Sequence, residues 1–106
     1  MLQLGDSGGI ENTNYFGSDN GTNFSAGFLF SGAVASCVRY GSLVLSLVNA
    51  ANNTWACMGV VGRSDAANAD YVGGVKSTSA VLDRVRITTV GGSDTFDLGE
   101  INISYE

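Results

Sequence analysis

From residue 42 the chain reads SLVLSLV, passes through Asn49-Ala-Ala-Asn-Asn53 and returns as TWACMGVV. Successive side chains point to opposite faces of a strand, so a run whose large apolar residues recur at every second position buries one face and solvates the other. Asparagine tolerates the left-handed backbone that a tight reversal requires. The stretch therefore predicts a β-hairpin with strands at 42–48 and 54–61. Simple pairing sets Leu47 opposite Trp55 and Leu45 opposite Cys57. Leu43, Leu45, Leu47, Trp55 and Cys57 then form one face, directed at the core.

The rest of the chain has the same character. Short runs of Val, Leu, Ile, Thr and aromatics are separated by Gly, Asn, Asp and Ser, there is no proline among fifteen glycines, and no apolar stripe lasts three helical turns. Further strands are expected at about 2–4, 25–31, 72–75, 79–90 and 94–105. The expected fold class is all-β: an antiparallel β-sandwich, jelly-roll-like, in a single domain over residues 1–106. A second hairpin should join LDRVRITTV to DTFDLGEINISY across Gly91-Gly92-Ser93. Phe96 and Leu98 have even parity there while Ile101, Ile103 and Tyr105 have odd, so a β-bulge at Gly99 is expected to reset the phase. Arg84 and Arg86 should share the face opposite Val85 and Ile87, either paired with Asp97 or Glu100 or forming a site for an anion or sugar acid.

Several chemistries are unfavourable on residue types alone. GDSGG at residues 5–9 surrounds the nucleophile of trypsin-like proteases, but the chain has no histidine to act as base. Lys76, in a stretch read as a loop, is the only alternative base, and Ser7 is read as a turn residue. Glycoside hydrolysis needs two facing carboxylates, and most acidic residues fall in turns. No catalytic residue, metal or cofactor is therefore expected. Asp6, Glu11 and Asp19 share a long loop without the spacing of a calcium site and are read as solvated. Cys37 and Cys57 lie among small and apolar residues and are read as free thiols, with a bridge between them as the alternative. A net charge of −5 with scattered basic residues argues against nucleic acid. The lack of a long apolar run or a secretory leader argues against a membrane and for a soluble chain without an export signal.

The closing STSAVLDRVRITTVGGSDTFDLGEINISYE and the opening LQLGDSGGIENTNYFGS resemble the β-rich C-terminal domain of bacteriophage tail fibres and related virion proteins. The likeness spans most of the chain in order. Residues 32–41 and 62–75 match only in character. Domains of this kind carry further strands upstream, which implies either a shortened chain or a sheet completed by a neighbouring subunit.

The resemblance implies a virion structural protein, assembled in the bacterial cytoplasm as a homo-oligomer, a trimer for preference, or with other virion proteins. The leading expectation is display of loops for attachment to a host-surface glycan. Loops 5–23, 49–53 and 91–93 should emerge at one end and those at 32–41 and 62–71 at the other. The first group supplies Tyr15, Phe16, Asp19, Asn20, Asn23, Asn52 and Asn53, amides and a carboxylate around aromatic platforms that suit a sugar ring. The alternative is an architectural knob or decoration domain that binds no receptor and places Phe28, Phe30 or Tyr71 in a subunit interface.

Overall fold

The Asn-rich reversal and its flanking runs form the hairpin that the alternation predicts. In the computed structural model, which describes residues 1–19, 22–30, 37–92, 96 and 99–105, Leu45 pairs with Cys57 and Leu47 with Trp55. The Asn49 side chain caps a single 3-10 turn over Ala50–Asn52 by accepting from the Ala51 N–H, and Asn53 closes it in the left-handed conformation. Cys57 is buried, and Leu43, Leu45 and Trp55 pack against the core as expected. Leu47, at the turn end, is half exposed.

The described strands are β1 (Leu2–Asp6), β2 (Gly9–Ile10), β3 (Phe16–Asp19), β4 (Thr22–Phe24), β5 (Arg39–Asn49), β6 (Thr54–Arg63), β7 (Ala69–Ser77) and β8 (Arg84–Ile87). They form two antiparallel sheets, three-stranded in the order β2-β1-β8 and five-stranded in the order β4-β3-β7-β6-β5. No α-helix occurs among the described residues. The fold is the all-β sandwich expected. Its core lies between the sheets: Leu2 and Leu4 from β1 meet Cys57, Val61 and Val72, with Tyr15 and Phe28 between them.

Four strand readings change. Residues 25–31 were expected to form a strand; pairing is instead made by β4, and among the described residues beyond it Phe28 bridges to Leu2, through bonds of 2.9 and 2.8 Å. Strand β7 extends to Ser77, so Lys76 lies in a strand and not in a loop. Of the 79–90 run only Arg84–Ile87 is strand, and among the described residues it pairs with β1, Val85 against Leu4. Of the 94–105 run, residues 96 and 99–105 are not strand; 94, 95, 97 and 98 lie outside the described residues. Gly99 has φ +152° and is in no strand, so the described residues form no bulge there. Register explains the change: β1 offers Leu2 and Leu4 to the core, and Val85 and Ile87 pair across from those two residues.

The arginines of β8 follow. Arg84 donates to Asp83, and the Arg86 guanidinium donates twice to Oε1 of buried Gln3, at 2.9 and 2.5 Å. The expected partner Glu100 is not used, and Asp97 lies outside the described residues. Cys37 and Cys57 are free. The Cys37 thiol donates to Asp65 Oδ1, while burial pushes the Cys57 thiol up to about 11.

Candidate functional site

Where β3 crosses β7, glycine faces glycine. Gly17 pairs with Gly74, whose φ is +152°, and a Cβ on Gly74 would stand 2.5 Å from the Gly17 Cα and from the Phe16 carbonyl oxygen. Glycine in mid-strand commonly marks such a close backbone approach. Above this floor lies an open groove of ≈ 660 Å³ walled by Phe16, Asn23, Phe24, Ser25 and Gly73. No Asp, Glu, Lys or Arg among the described residues lines it. Phe16 is 76% exposed and Asn23 is exposed, giving an aromatic face beside an amide that can donate and accept.

The seven expected site residues do not assemble as one surface. Phe16 and Asn23 meet at the groove, which Tyr15 also borders. Tyr15 is corrected from sugar platform to core residue: it is 3% exposed, and its ring stands edge-on to Phe28. Its hydroxyl accepts from the Leu4 N–H at 2.6 Å and donates to the Glu11 carbonyl at 2.9 Å. Burial raises its phenol pKa. A ring held this way offers no face to a ligand. Asp19 lies in β3 with its backbone paired to Thr22 and Val72, and Asn20 lies outside the described residues.

Asn52 and Asn53 serve the β5–β6 turn. Asn52 Oδ1 accepts from the Thr54 hydroxyl at 2.5 Å, and the Asn53 carbonyl accepts from the Thr78 N–H. The expected clustering of loops at one end holds only in part: Glu11 and Thr13 reach Lys76 near the Asn53–Thr78 bond, whereas Asp19 lies apart. Along the β6–β7 ladder, Thr54 pairs with Ser77 and Gly59 with Val72, whose other neighbour is Asp19. Five residue steps at about 3.4 Å put the Asn52–Asn53 turn roughly 17 Å from Asp19. Strand β3 ends toward the opposite end of the sheet from that turn.

Two acidic residues read as solvated are structural. Asp6 is buried beneath the β1–β2 hairpin, whose tip is Ser7-Gly8. It accepts from the Ser79 hydroxyl at 2.6 Å, the Gly8 N–H at 2.8 Å and the Ala80 N–H at 2.7 Å. These bonds, the Ser79 hydroxyl first, hold its pKa down at about 2. Glu11 forms an ion pair with buried Lys76, whose ammonium also donates to the Thr13 carbonyl and stands 5.2 Å from the Tyr15 ring centroid. GDSGG is thus a hairpin whose aspartate ties β1 to the chain at Ser79–Ala80. Exposed Ser7 only forms the turn, and Lys76 is committed elsewhere.

Sequence reading missed Ser25 because it was assigned to a strand over 25–31, and Phe24 because it fell between that strand and the loop expected at 5–23. The available signal was the Gly73-Gly74 pair inside an otherwise strand-like YVGGVKS. A second, smaller recess of ≈ 220 Å³ lies beside Gln3, Asn12, Arg86, Thr88 and Thr89. Among the described residues, Arg86 is the one basic side chain that forms no ion pair with a carboxylate. Comparison of the chain with protein-family models, with curated proteins and with solved structures finds no match in any of the three.

Proposed function

We propose that this chain is a structural domain of a bacteriophage tail fibre or similar virion appendage, working by assembly through its sheet surface. The observation that supports this most is the distribution of apolar side chains. Phe16, Tyr40, Val44, Met58, Val60 and Tyr71 are all exposed on the five-stranded sheet, whereas the buried apolar core is small. Isolated exposed apolar residues are ordinary, but a contiguous patch marks a contact surface. The resemblance of the two chain ends to tail-fibre domains supplies the virion context.

The groove at Phe16 and Asn23 favours a second reading, attachment to a host glycan. A sugar could stack on Phe16 and hydrogen-bond to the Asn23 amide. Two measurements separate the readings: mass spectrometry of particles purified from a lysate of the strain that carries the coding sequence, and glycan-array binding by the folded domain. Assembly predicts the chain in particles and no glycan signal. Attachment predicts a signal lost in Phe16→Ala, a substitution at an exposed position that should alter stability by no more than about 0.5 kcal/mol. Absence of the chain from particles overturns both.

A further inference from the structure

Four of the five basic residues are neutralised by carboxylates: Arg39 by Asp70, Arg63 by Asp65, Lys76 by Glu11 and Arg84 by Asp83. The fifth, Arg86, is exposed and held by a neutral group. Its Nε and Nη2 donate to Oε1 of Gln3, its partner across the β1–β8 ladder, at 2.9 and 2.5 Å. Gln3 is 1% exposed, and its own Nε2 donates to the Ala26 carbonyl at 2.8 Å, which fixes the amide end for end. An amide oxygen orients a guanidinium without cancelling its charge. One edge of the planar fork is thereby occupied, and the edge formed by Nη1 and the second N–H of Nη2 is presented to a further acceptor.

Arg86 lines the recess of ≈ 220 Å³ at the end of the β1–β8 pair. The Thr88 N–H donates to the Met1 carbonyl at 3.0 Å, and the Gly92 N–H to the Thr89 carbonyl at 3.2 Å, closing a turn with Gly92 at φ +69°. Asn12 and Thr88 supply the recess with an amide and a hydroxyl that each donate and accept, and Val90 adds an apolar side. No Asp or Glu among the described residues lines it. These contents select a ligand. One uncompensated positive charge balances one carboxylate, whereas a phosphate dianion would stay half neutralised against a molecule of net charge −5. Guanidinium and carboxylate match through two parallel N–H···O bonds. The volume is below the roughly 300 Å³ at which pockets for drug-sized ligands begin, so it suits a single small ring.

From this we infer that the recess beside Arg86 is a binding site for a small polyhydroxylated carboxylate, of the class of a hexuronic acid. The carboxylate takes the unoccupied edge of the Arg86 guanidinium, and ring hydroxyls take the Asn12 amide and the Thr88 hydroxyl. Gln3 is a positioning residue, since it aims the guanidinium and does not line up with the ligand's own groups. The site shares no lining residue with the groove at Phe16 and Asn23. The inference rests on neither reading given above. It adds an anionic ligand to a surface whose larger groove offers no cation among the described residues.

The test is a two-dimensional amide NMR titration of the whole chain, at neutral pH and low ionic strength, with sodium glucuronate, glucose and inorganic phosphate in parallel. Glucuronate should shift the Thr88, Gly91 and Gly92 signals saturably in the millimolar range. Glucose should not, and phosphate should bind more weakly than glucuronate. These comparisons need no variant. Arg86→Gln should raise the glucuronate dissociation constant at least about tenfold, through loss of the charge-assisted pair. Arg86→Lys keeps the charge without the fork and should not restore wild-type affinity. Arg84→Gln, at the neighbouring arginine paired with Asp83, and Phe16→Ala, in the groove, should bind glucuronate as wild type does. A wild type that does not saturate with glucuronate, that binds glucose or phosphate as tightly, or that keeps its affinity in a folded Arg86→Gln or Arg86→Lys variant overturns the proposal.

Discussion

Asp6 and Ser79, 73 residues apart in sequence, meet through a 2.6 Å hydrogen bond from the serine hydroxyl to the aspartate Oδ2. The Ala80 N–H donates to the same oxygen, and the bond pair fastens the connection after β7 to the first hairpin. The relationship sets the acid sensitivity of the fold. Folding lowers the Asp6 pKa from 3.8 to about 2, so the ionised carboxylate favours the folded state above pH 3.8, and that contribution disappears as the pH falls toward 2. Asp6→Asn should therefore be less stable than wild type at pH 7 and approach it between pH 4 and pH 2. Urea denaturation of both proteins across that range checks the convergence; a gap independent of pH would contradict it.

Tyr15 and Leu4 give a second outcome. Tyr15→Phe keeps the edge-on contact with Phe28, whose ring centroid is 5.1 Å away, but leaves the buried Leu4 N–H without its hydroxyl acceptor. The loss should be about 1–3 kcal/mol. Tyr15→Ala should cost about 3–5 kcal/mol, because the ring's packing goes as well. Denaturant midpoints at constant slope measure both. Equal losses for the two variants would show that the hydroxyl contributes nothing.

The thiols should differ in reactivity. Cys57 is buried with its pKa pushed up to about 11, and Cys37 is only half buried. The thiolate is the reactive form, so a disulfide reagent at pH 8 should label Cys37 in the native protein and reach Cys57 only on unfolding. Counting the released chromophore before and after denaturant should give one equivalent and then two.

Two glycine substitutions separate crowding from backbone conformation. Gly74→Ala places a methyl group 2.5 Å from backbone atoms of β3, so β3 and β7 must part. Gly92 has φ +69° and no atom within 4 Å of the place a methyl group would take, so alanine there meets only the left-handed penalty of about 1–2 kcal/mol. Gly74→Ala should be the more damaging of the two, and amide exchange in Phe16–Asp19 should accelerate in that variant alone.

The β5–β6 hairpin was legible because its information is local: alternation fixes the face and the Asn49–Asn53 turn fixes the register. The error at β8 has the opposite origin. Arg84–Ile87 reads like one arm of a glycine hairpin, yet its partner is β1, at the other end of the chain, and nothing near residue 85 encodes that choice. Tyr15 sits in Asn-Thr-Asn-Tyr, a loop by every local measure, and only the approach of β1 and Phe28 makes it core. Asp6, Glu11 and Lys76 were misread for the same reason, since a carboxylate's partner cannot be told from its neighbours in sequence. At the groove, Phe16 and Asn23 were found and Phe24 was not, because its role depends on where β4 ends.

The bare backbone floor at Gly17 and Gly74 restricts how this surface can diversify. Inheritance can reshape the rim freely at Phe16, Asn23 and Ser25, where substitutions project into open space. The two central positions admit no side chain without prying the strands apart. Variants of this domain should therefore differ at the walls, while the bottom of the trough stays the same from one to the next.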